Sequence, residues 1–343
     1  MRWNLLLGGM ACAFALQSAA VAGDTSYKLL NEIPIGGEGG WDILTVDSAA
    51  QRLYLSHSIK VVVVDLAKDA VAGEISDTPG VHGFLAIPEL GRGFSTNGKE
   101  AKASVVDLKT LKTMSKVETG ESPDALAYEP RRKEIYVFNH KGDSATVIDA
   151  TTAKVINTIP LGGSPEFAAV DSAAGRVYCN IEDKSEVVAI DTTKHEVVAR
   201  WPVAPGEEPS GIALDSKHHR LFATCNNKMM AMLDTKSGKV VATVPIGEHV
   251  DGCAFDEATQ LTFASCGEGV TTIAKEEAPD KLTVVQTLKT ERGARTIALD
   301  PGSHRIYLPT AKFGPEPTPG PGGPHRPAII PNSMKLLVFG PGA

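Results

Sequence analysis

The sequence has few aromatic residues, few segments with a helical pattern and no long apolar run after its first 22 residues. Aromatic side chains make up 6% of the 343 residues, and cysteines number five. No segment after residue 22 reaches the roughly 18 apolar residues that a membrane helix needs, so we expect no membrane span there. Valine, isoleucine and threonine are frequent, and glycine or proline recurs about every ten residues, as in strand-rich proteins. We therefore predict an all-β fold.

Two further absences exclude classes of function. The chain has 34 basic against 41 acidic residues, a net charge of −7. This charge does not favour a nucleic-acid partner, whose phosphates attract basic surfaces. The sequence contains no G-x-S-x-G, no G-x-x-x-x-G-K and no dinucleotide-binding fingerprint, and it has no C-x-x-C-H to attach haem c. It therefore predicts no nucleotide cofactor and no covalent haem.

The first 22 residues predict a secretory signal peptide. Arg2 is followed by an apolar stretch at residues 5–16 and by Ala20-Val21-Ala22, a small-x-small cleavage site. We expect cleavage near Ala22 and a mature protein of residues 23–343 that is periplasmic or secreted. We also expect a monomer.

A repeat of 40 to 44 residues runs through the mature chain. Its landmark is the aromatic residue that ends each phrase of the type RLY or RVY. An acid stands seven residues earlier in every copy but one, where Ile87 replaces it. After the landmark come a polar loop, an apolar run ending in Asp, such as VVVVD, and a further run such as KVVATVPIG. The landmarks are Tyr54, Phe94, Tyr136, Tyr178, Phe222, Phe263 and Tyr307.

Four short strands in a unit of this length are typical of a β-propeller blade, and seven landmarks predict seven blades in one domain. The predicted blades begin near residues 41, 81, 123, 165, 209, 250 and 294. The last copy lacks its fourth run, whereas KLLNEIPIGG at residues 28–37 is a fourth-run phrase with no copy before it. We expect this N-terminal strand to close the ring on the last blade, which removes open sheet edges.

The segment IYVFNHKGDSATVIDATTAKVINTIPLGGSPEFAAVD at residues 135–171 resembles the YVTN-type propeller repeat of YncE-like exported proteins. The resemblance extends over the mature chain and is strongest in blades three to five. It implies a seven-bladed, WD40-like propeller. It implies less about function, because this fold carries unrelated activities. The family includes proteins with no known chemistry, and related propellers serve as lactonases, lyases and cofactor-bearing dehydrogenase subunits.

Ligands of propellers usually bind at the mouth of the central channel, where the inner strands begin. The position twelve residues before each landmark is the predicted start of an inner strand, and these positions are Asp42, His82, Asp124, Glu166, Ser210, Asp251 and Arg295. The position three residues after each landmark is the predicted end of the second strand, and these positions are His57, Asn97, Asn139, Ile181, Cys225, Cys266 and Thr310. We expect the hairpin register to pair the two sets and bring both to the mouth.

The polar residues of these sets predict a site for a small polar ligand or a cation, although solvation alone would also explain polar side chains at a wet channel mouth. The candidate ligands of a divalent metal ion are Asp42, His57 and His82. If the protein is an enzyme, the candidate catalytic residues are His57, His82, Glu166 and Arg295. The predicted ligand-binding residues are Asp42, His57, His82, Asn97, Asp124, Asn139, Glu166, Asp251 and Arg295.

Three functions remain open at this point. We favour a binding protein for a small polar molecule, a cation or a periplasmic protein partner over a lactonase-like hydrolase or lyase. The resemblance alone implies the third alternative, an electron-transfer or metalloprotein partner role. Convergence of Asp42, His57 and His82 with Glu166 or Arg295 on one ligand would favour the enzyme.

Two other features leave alternatives open. Cys179, Cys225, Cys253 and Cys266 match no zinc motif, and their spacing selects neither a disulfide pairing nor free thiols. Residues 312–333 form a Pro- and Gly-rich insertion in blade seven, which is either an ordered lid over the mouth or a loose insertion.

Overall fold

A computed structural model describes residues 26–315 and 327–342. Within these ranges, seven four-stranded antiparallel sheets form a ring, which confirms the predicted seven-bladed β-propeller. The signal peptide predicted for residues 1–22 lies outside the described residues. Among the described residues, no helix is long and apolar enough to cross a membrane.

The chain begins with β1 (Tyr27–Pro34) and then builds the first three blades in order. Blade one contains β2 (Leu44–Asp47), β3 (Arg52–His57), β4 (Lys60–Asp65) and β5 (Ala70–Ile75). Blade two contains β6 (Val81–Ile87), β7 (Arg92–Asn97), β8 (Lys102–Asp107) and β9 (Lys112–Glu118). Blade three contains β10 (Pro123–Glu129), β11 (Glu134–Asn139), β12 (Ser144–Asp149) and β13 (Lys154–Pro160).

Blades four to six repeat the same order. Blade four contains β14 (Pro165–Asp171), β15 (Arg176–Ile181), β16 (Glu186–Asp191) and β17 (Glu196–Pro202). Blade five contains β18 (Pro209–Asp215), β19 (Arg220–Cys225), β20 (Met229–Asp234) and β21 (Val240–Pro245). Blade six contains β22 (Val250–Asp256), β23 (Leu261–Cys266), β24 (Val270–Ala278) and β25 (Lys281–Lys289).

Blade seven is assembled from both ends of the chain. Its strands are β26 (Ala298–Asp300), β27 (Arg305–Thr310) and β28 (Lys335–Pro341), and β1 is the outer fourth strand. The insertion at residues 312–333 lies between β27 and β28. Its described ends meet in an isolated bridge between Phe313 and Ile329, and the part of the predicted lid at residues 316–326 lies outside the described residues.

The pairing of β1 with β28 closes the ring as the repeat predicts. Seven residue pairs, from Tyr27 with Pro341 to Pro34 with Lys335, hold the two strands antiparallel. Tyr27 and Ile33 are buried, and the Tyr27 hydroxyl donates to the carbonyl of His304 at 2.8 Å. The inner strands of neighbouring blades then contact one another around the whole ring.

The repeated sequence features are the residues that the fold buries or uses in turns. All seven landmark aromatics are at most 2% exposed, so each supplies a large apolar contact inside its blade. The acid seven residues earlier ends the first strand, and its carboxylate accepts a backbone N–H of the following turn. Bonds of this kind of 2.7–3.1 Å are made by Asp47, Glu129, Asp171, Asp215, Asp256 and Asp300.

Blade two breaks the acid rule because it makes this turn differently. The residues after Ile87 form a short 3₁₀ turn at Pro88–Leu90, in which Gly91 adopts a left-handed conformation with φ of 62° and donates to the Pro88 carbonyl. Proline at the first turn position and glycine at its end supply the backbone conformations that the carboxylate stabilises in the other blades. Blade two can therefore have Ile87 in place of the acid because its turn is of a different type.

The four cysteines of the described chain are free. Cys179, Cys225 and Cys266 are buried, and Cys253 is half-buried. Burial raises the thiol pKa of Cys225, Cys253 and Cys266 to about 12. Thiols held in this protonated form are poor nucleophiles and poor metal ligands.

We expect deletion of residues 24–34 to cause aggregation or a large fall in melting temperature, because it removes Tyr27 and Ile33 from the core and exposes the edge of β28. Differential scanning calorimetry and light scattering measure the change. The double variant Leu29→Ser/Leu30→Ser is the control, because both side chains are exposed on the same strand. A deleted protein that melts at the parent temperature would contradict the closure.

We expect Asp171→Ala to lower the free energy of unfolding by about 0.5–2 kcal/mol, the size of a lost local hydrogen bond. The buried Asp171 carboxylate accepts from the backbone N–H of Ala174 at 3.0 Å. Asp171→Asn is the matched control, because its side-chain oxygen can still accept this bond. Equal destabilisation by the two variants in urea denaturation would show that this hydrogen bond does not stabilise the turn.

Candidate functional site at the channel mouth

Five of the seven predicted inner-strand residues lie in β-bulges at the start of the inner strands. In blade three, Pro123 pairs with Asn139 and Leu126 with Val137, which leaves Asp124 and Ala125 opposite a single residue. The inner strands of blades two, four, five and six are irregular at the same point. Because a bulge bends the strand and re-aims its side chains, it takes the side chain at this position out of the regular alternation.

The bulges also correct the predicted hairpin register. Asn139 pairs with Pro123 and Asn97 with Val81, not with the mouth residues Asp124 and His82. One unpaired residue in each inner strand causes this offset.

The first group at the mouth consists of His82 and two carboxylates from neighbouring blades. His82 Nδ1 lies 2.7 Å from Asp42 Oδ2 and 3.6 Å from Asp124 Oδ1. The three side chains are 34%, 23% and 21% exposed, so solvent still reaches them. One ligand atom from each residue lies within 4.8 Å of the others.

The second group shares Asp124 with the first. His140 Nδ1 lies 2.9 Å from Glu166 Oε1, and potential ligand atoms of Asp124, His140 and Glu166 lie within 4.8 Å of one another. His140 directly follows β11, in the loop to the third strand, and was not among the predicted site residues. Two His–carboxylate triads therefore meet at one aspartate.

The third group is an ion pair between blades six and seven, with a serine from blade five. Arg295 Nε donates to Asp251 Oδ2 at 2.6 Å, and Ser210 Oγ donates to Asp251 Oδ1 at 3.0 Å. The side chains of Arg295 and Asp251 are 25% and 23% exposed. All seven predicted inner-strand positions are thus accounted for in these three groups.

The electrostatics of the mouth favour bound protons. The hydrogen bond to Asp42 raises the pKa of His82 to about 9, and the hydrogen bond to Glu166 raises that of His140 to about 9. Burial, reinforced by the Asp42 carboxylate, raises the pKa of Asp124 well above its usual range. Burial raises the pKa of Asp251 to about 6, against the opposing charge of Arg295. The mouth therefore carries exchangeable protons near neutral pH.

The second-strand residues of the predicted site are buried inside the blades. His57 is 1% exposed, and its Nδ1 lies 2.8 Å from the carbonyl of Gly40. A Cβ on Gly37 would lie 2.6 Å from His57 Nε2, so a glycine leaves room for this ring. Among the described residues, His57 does not belong to any group with metal-ligand spacing. In the predicted metal site of Asp42, His57 and His82, Asp124 therefore takes the place of His57.

The two asparagines of the predicted site bond within their own blades. Asn97 Nδ2 donates to Glu100 and to Ser104 Oγ at 2.8 Å each. Asn139 Nδ2 donates to Ser144 Oγ and Thr146 Oγ1 at 3.1 and 3.0 Å. Both side chains are fully buried, so the structure places them in the blade walls.

A further acid–histidine group lies at the other ends of the inner strands, where the turn after β18 meets β24. Asp215, His218 and Glu276 have ligand atoms within 4.8 Å, and burial together with the Asp215 carboxylate raises the pKa of Glu276 to about 7. His218 Nδ1 lies 2.6 Å from Asp215 Oδ2, the same carboxylate that holds the turn. The equivalent turn carboxylate of blade six, Asp256, contacts His304 from the turn of blade seven at 2.8 Å, so a turn carboxylate meets a histidine there too.

Comparisons with known proteins identify the fold and no family. Neither the models of known protein families nor the sequences of characterised proteins match this chain. The YVTN/YncE-like membership therefore stays a prediction.

Solved structures do match the fold. A chain of "Kuenenia stuttgartiensis Hydrazine Synthase" aligns with a TM-score of 0.69 at 17% identity over 79% of this chain and 92% of that one. A chain from "Crystal Structure of Mitotic Checkpoint Complex" aligns with a TM-score of 0.74 at 11% identity over 99% of both chains. A chain from "Structure of U3-55K" aligns with a TM-score of 0.73 at 10% identity over 92% and 99%. At these identities the likeness supports the β-propeller alone.

We expect the metal-free protein to lose stability as pH rises from about 6.5 to about 9. Histidine in an unfolded chain has a pKa of about 6.5, whereas His82 and His140 have values of about 9 in the fold. Their protons therefore stabilise the fold fully below the lower value, and this contribution is lost as pH passes the higher one.

Thermal denaturation in EDTA across this pH range measures the effect. His82→Gln/His140→Gln should flatten the profile between the two pKa values. His219→Asn, in a turn at the other end of β18, is the control and should leave the profile unchanged. Profiles of equal slope for the parent and the double variant would show that the two histidines do not bind protons as described.

Proposed function

We propose that this chain is an exported, YVTN/YncE-like β-propeller that binds a divalent transition-metal ion at its channel mouth. The observation that carries the proposal is the sharing of Asp124 by the triads Asp42–His82–Asp124 and Asp124–His140–Glu166. Each triad offers one imidazole nitrogen and two carboxylate oxygens within 4.8 Å. Export is supported by the sequence of residues 1–22.

The donor set favours a transition metal over calcium. Imidazole suits zinc and neighbouring metals, and mixed histidine–carboxylate sites with open positions are typical of Zn²⁺ and Fe²⁺. Calcium takes six to eight oxygen ligands, whereas each triad supplies a nitrogen among its three donors. Solvent access to these side chains leaves room for water to complete the coordination.

Metal binding at this mouth competes with protons. A ligating histidine must be deprotonated, so an ion that binds His82 or His140 releases a proton. The raised histidine pKa values mean that affinity should increase as pH rises towards about 9. Because Asp124 belongs to both triads, its two oxygens can serve one ion in either triad or bridge two ions.

A lactonase-like hydrolysis is the second candidate function, and one observation favours it. Asp251, with a pKa of about 6, and the cationic Arg295 lie at the same mouth as the triads. A carboxyl group that titrates near neutral pH can exchange protons with a substrate, and a guanidinium can bind a developing anion. A bound metal ion would supply activation of a water molecule.

We expect Asp124→Asn to weaken Zn²⁺ binding by more than the roughly 10–100-fold that loss of an outer-shell partner costs. The change removes a carboxylate shared by both triads while it conserves side-chain size. Isothermal titration calorimetry of the full chain with ZnCl₂, in two buffers of different ionisation enthalpy, measures affinity and released protons together.

Glu121→Gln is the matched control, because this exposed acid of the same loop region belongs to neither triad. Circular dichroism should show unchanged β-sheet content in both variants. Equal affinity in the parent and Asp124→Asn, or no Zn²⁺ binding by the parent, would refute the metal site. Acid release from a lactone panel that disappears in Asp124→Asn would favour the hydrolase.

A further inference from the structure

A pocket lies beside the channel mouth, where blades six, seven and one meet. Its volume is about 440 Å³, within the usual range for small-ligand pockets. Its apolar wall consists of Trp41, Phe313, Pro327 and Ile329, its cationic side chains are Arg292 and Arg295, and His249 lies beside them. Among the described residues, no acidic side chain lines it, although the whole chain carries a net charge of −7.

The apolar wall is a tilted aromatic pair held at a fixed distance. The ring centroids of Trp41 and Phe313 are 6.2 Å apart, and the ring planes are inclined by 53°. A Cβ on Gly293 would lie 2.6 Å from Phe313 Cζ and 3.3 Å from Trp41 Cζ2, and its φ of +86° also favours glycine. Glycine at this position therefore seats both rings against the loop that precedes β26.

The cationic wall can receive an anion. Arg295 uses Nε for Asp251, and its terminal amino groups have no hydrogen-bond partner among the described residues. Arg292 places its guanidinium carbon 5.5 Å from the centroid of the Phe313 ring, a cation–π distance. His249 is exposed at the rim. Guanidinium groups bind carboxylates through paired hydrogen bonds.

Trp41 also carries an unpartnered donor. Its side chain is buried, and its indole Nε1 has no hydrogen-bond partner among the described residues. A buried donor without a partner destabilises the fold. The pocket itself combines aromatic walls with positive charge.

We propose that this pocket binds a small aromatic carboxylate, with its ring against Trp41 and Phe313 and its carboxylate on Arg292 and Arg295. This pocket would bind an anion that also has an apolar ring, whereas the triads described above would bind a cation. The inference therefore does not depend on the proposed metal site.

Benzoate is the probe, titrated into the full chain in EDTA by calorimetry and by ¹H–¹⁵N NMR. We expect saturable binding that shifts the indole N–H resonance of Trp41, assigned with Trp41→Phe. Benzamide, acetate and inorganic phosphate should each bind at least about tenfold more weakly, because each lacks either the charge or the ring.

Arg292→Gln/Arg295→Gln should weaken benzoate binding by about tenfold or more. Arg292→Gln alone changes an exposed side chain and keeps the Arg295–Asp251 pair, so it tests the proposal if the double variant does not fold; it should weaken binding severalfold. The matched control is Arg131→Gln, an exposed arginine in the turn between β10 and β11, which should bind as the parent does.

Four results would overturn the proposal. The first three are equal affinity for benzoate and benzamide, equal affinity of the parent and Arg292→Gln, and no saturation by benzoate at about 10 mM. The fourth is phosphate binding as tight as benzoate binding, which would show a general anion site. Because all titrations contain EDTA, none of these results depends on whether the triads bind metal.

Discussion

The pairing of β1 with β28 is the contact on which the geometry of the mouth depends. Each blade packs on its two neighbours, and this pairing completes the last blade with a strand from the other end of the chain. The contacts at the mouth join different blades: His82 meets Asp42, His140 meets Glu166, and Arg295 meets Asp251. A ring that opened between blades would therefore change the distances between these charged groups, so closure keeps the site assembled as well as protecting the sheet edges.

The bulges separate the residues that strand pairing constrains in every blade from the mouth residues, which can differ between blades. Along the regular part of each inner strand, pairing and packing restrict the side chains, and the turn carboxylates such as Asp171 recur from blade to blade. At the bulge the ladder is interrupted, so the residue there is free of the pairing constraint. Aspartate, histidine, glutamate and serine occupy this one position in different blades, which lets a symmetric fold build an asymmetric site.

Much of the fold could be predicted because its determinants are periodic. Tyr136 and its counterparts fill the blades, and the orphan fourth strand at β1 marks the closure. The register of the hairpins could not be predicted, because one extra residue leaves no trace in the sequence, and Asn97 and Asn139 were therefore placed at the mouth. The repeat does not predict a role for His140, because this residue lies in a loop one residue beyond the end of β11. The aromatic pocket could not be predicted, because its lining residues come from six separate stretches of the chain that only the folded ring brings together.

The ion pair of Asp251 and Arg295 links the two proposed sites. Arg295 lines the cationic pocket through its guanidinium, while its partner Asp251 lies close enough to Asp42 and Glu166 for their charges to raise its pKa. An anion bound to Arg295 would offset the positive charge beside Asp251. The mouth would then be more negative, which favours a cation there. By thermodynamic reciprocity, a cation at the triads would favour the anion by the same factor. If both ligands bind, the shared arginine couples them without any movement of the blades.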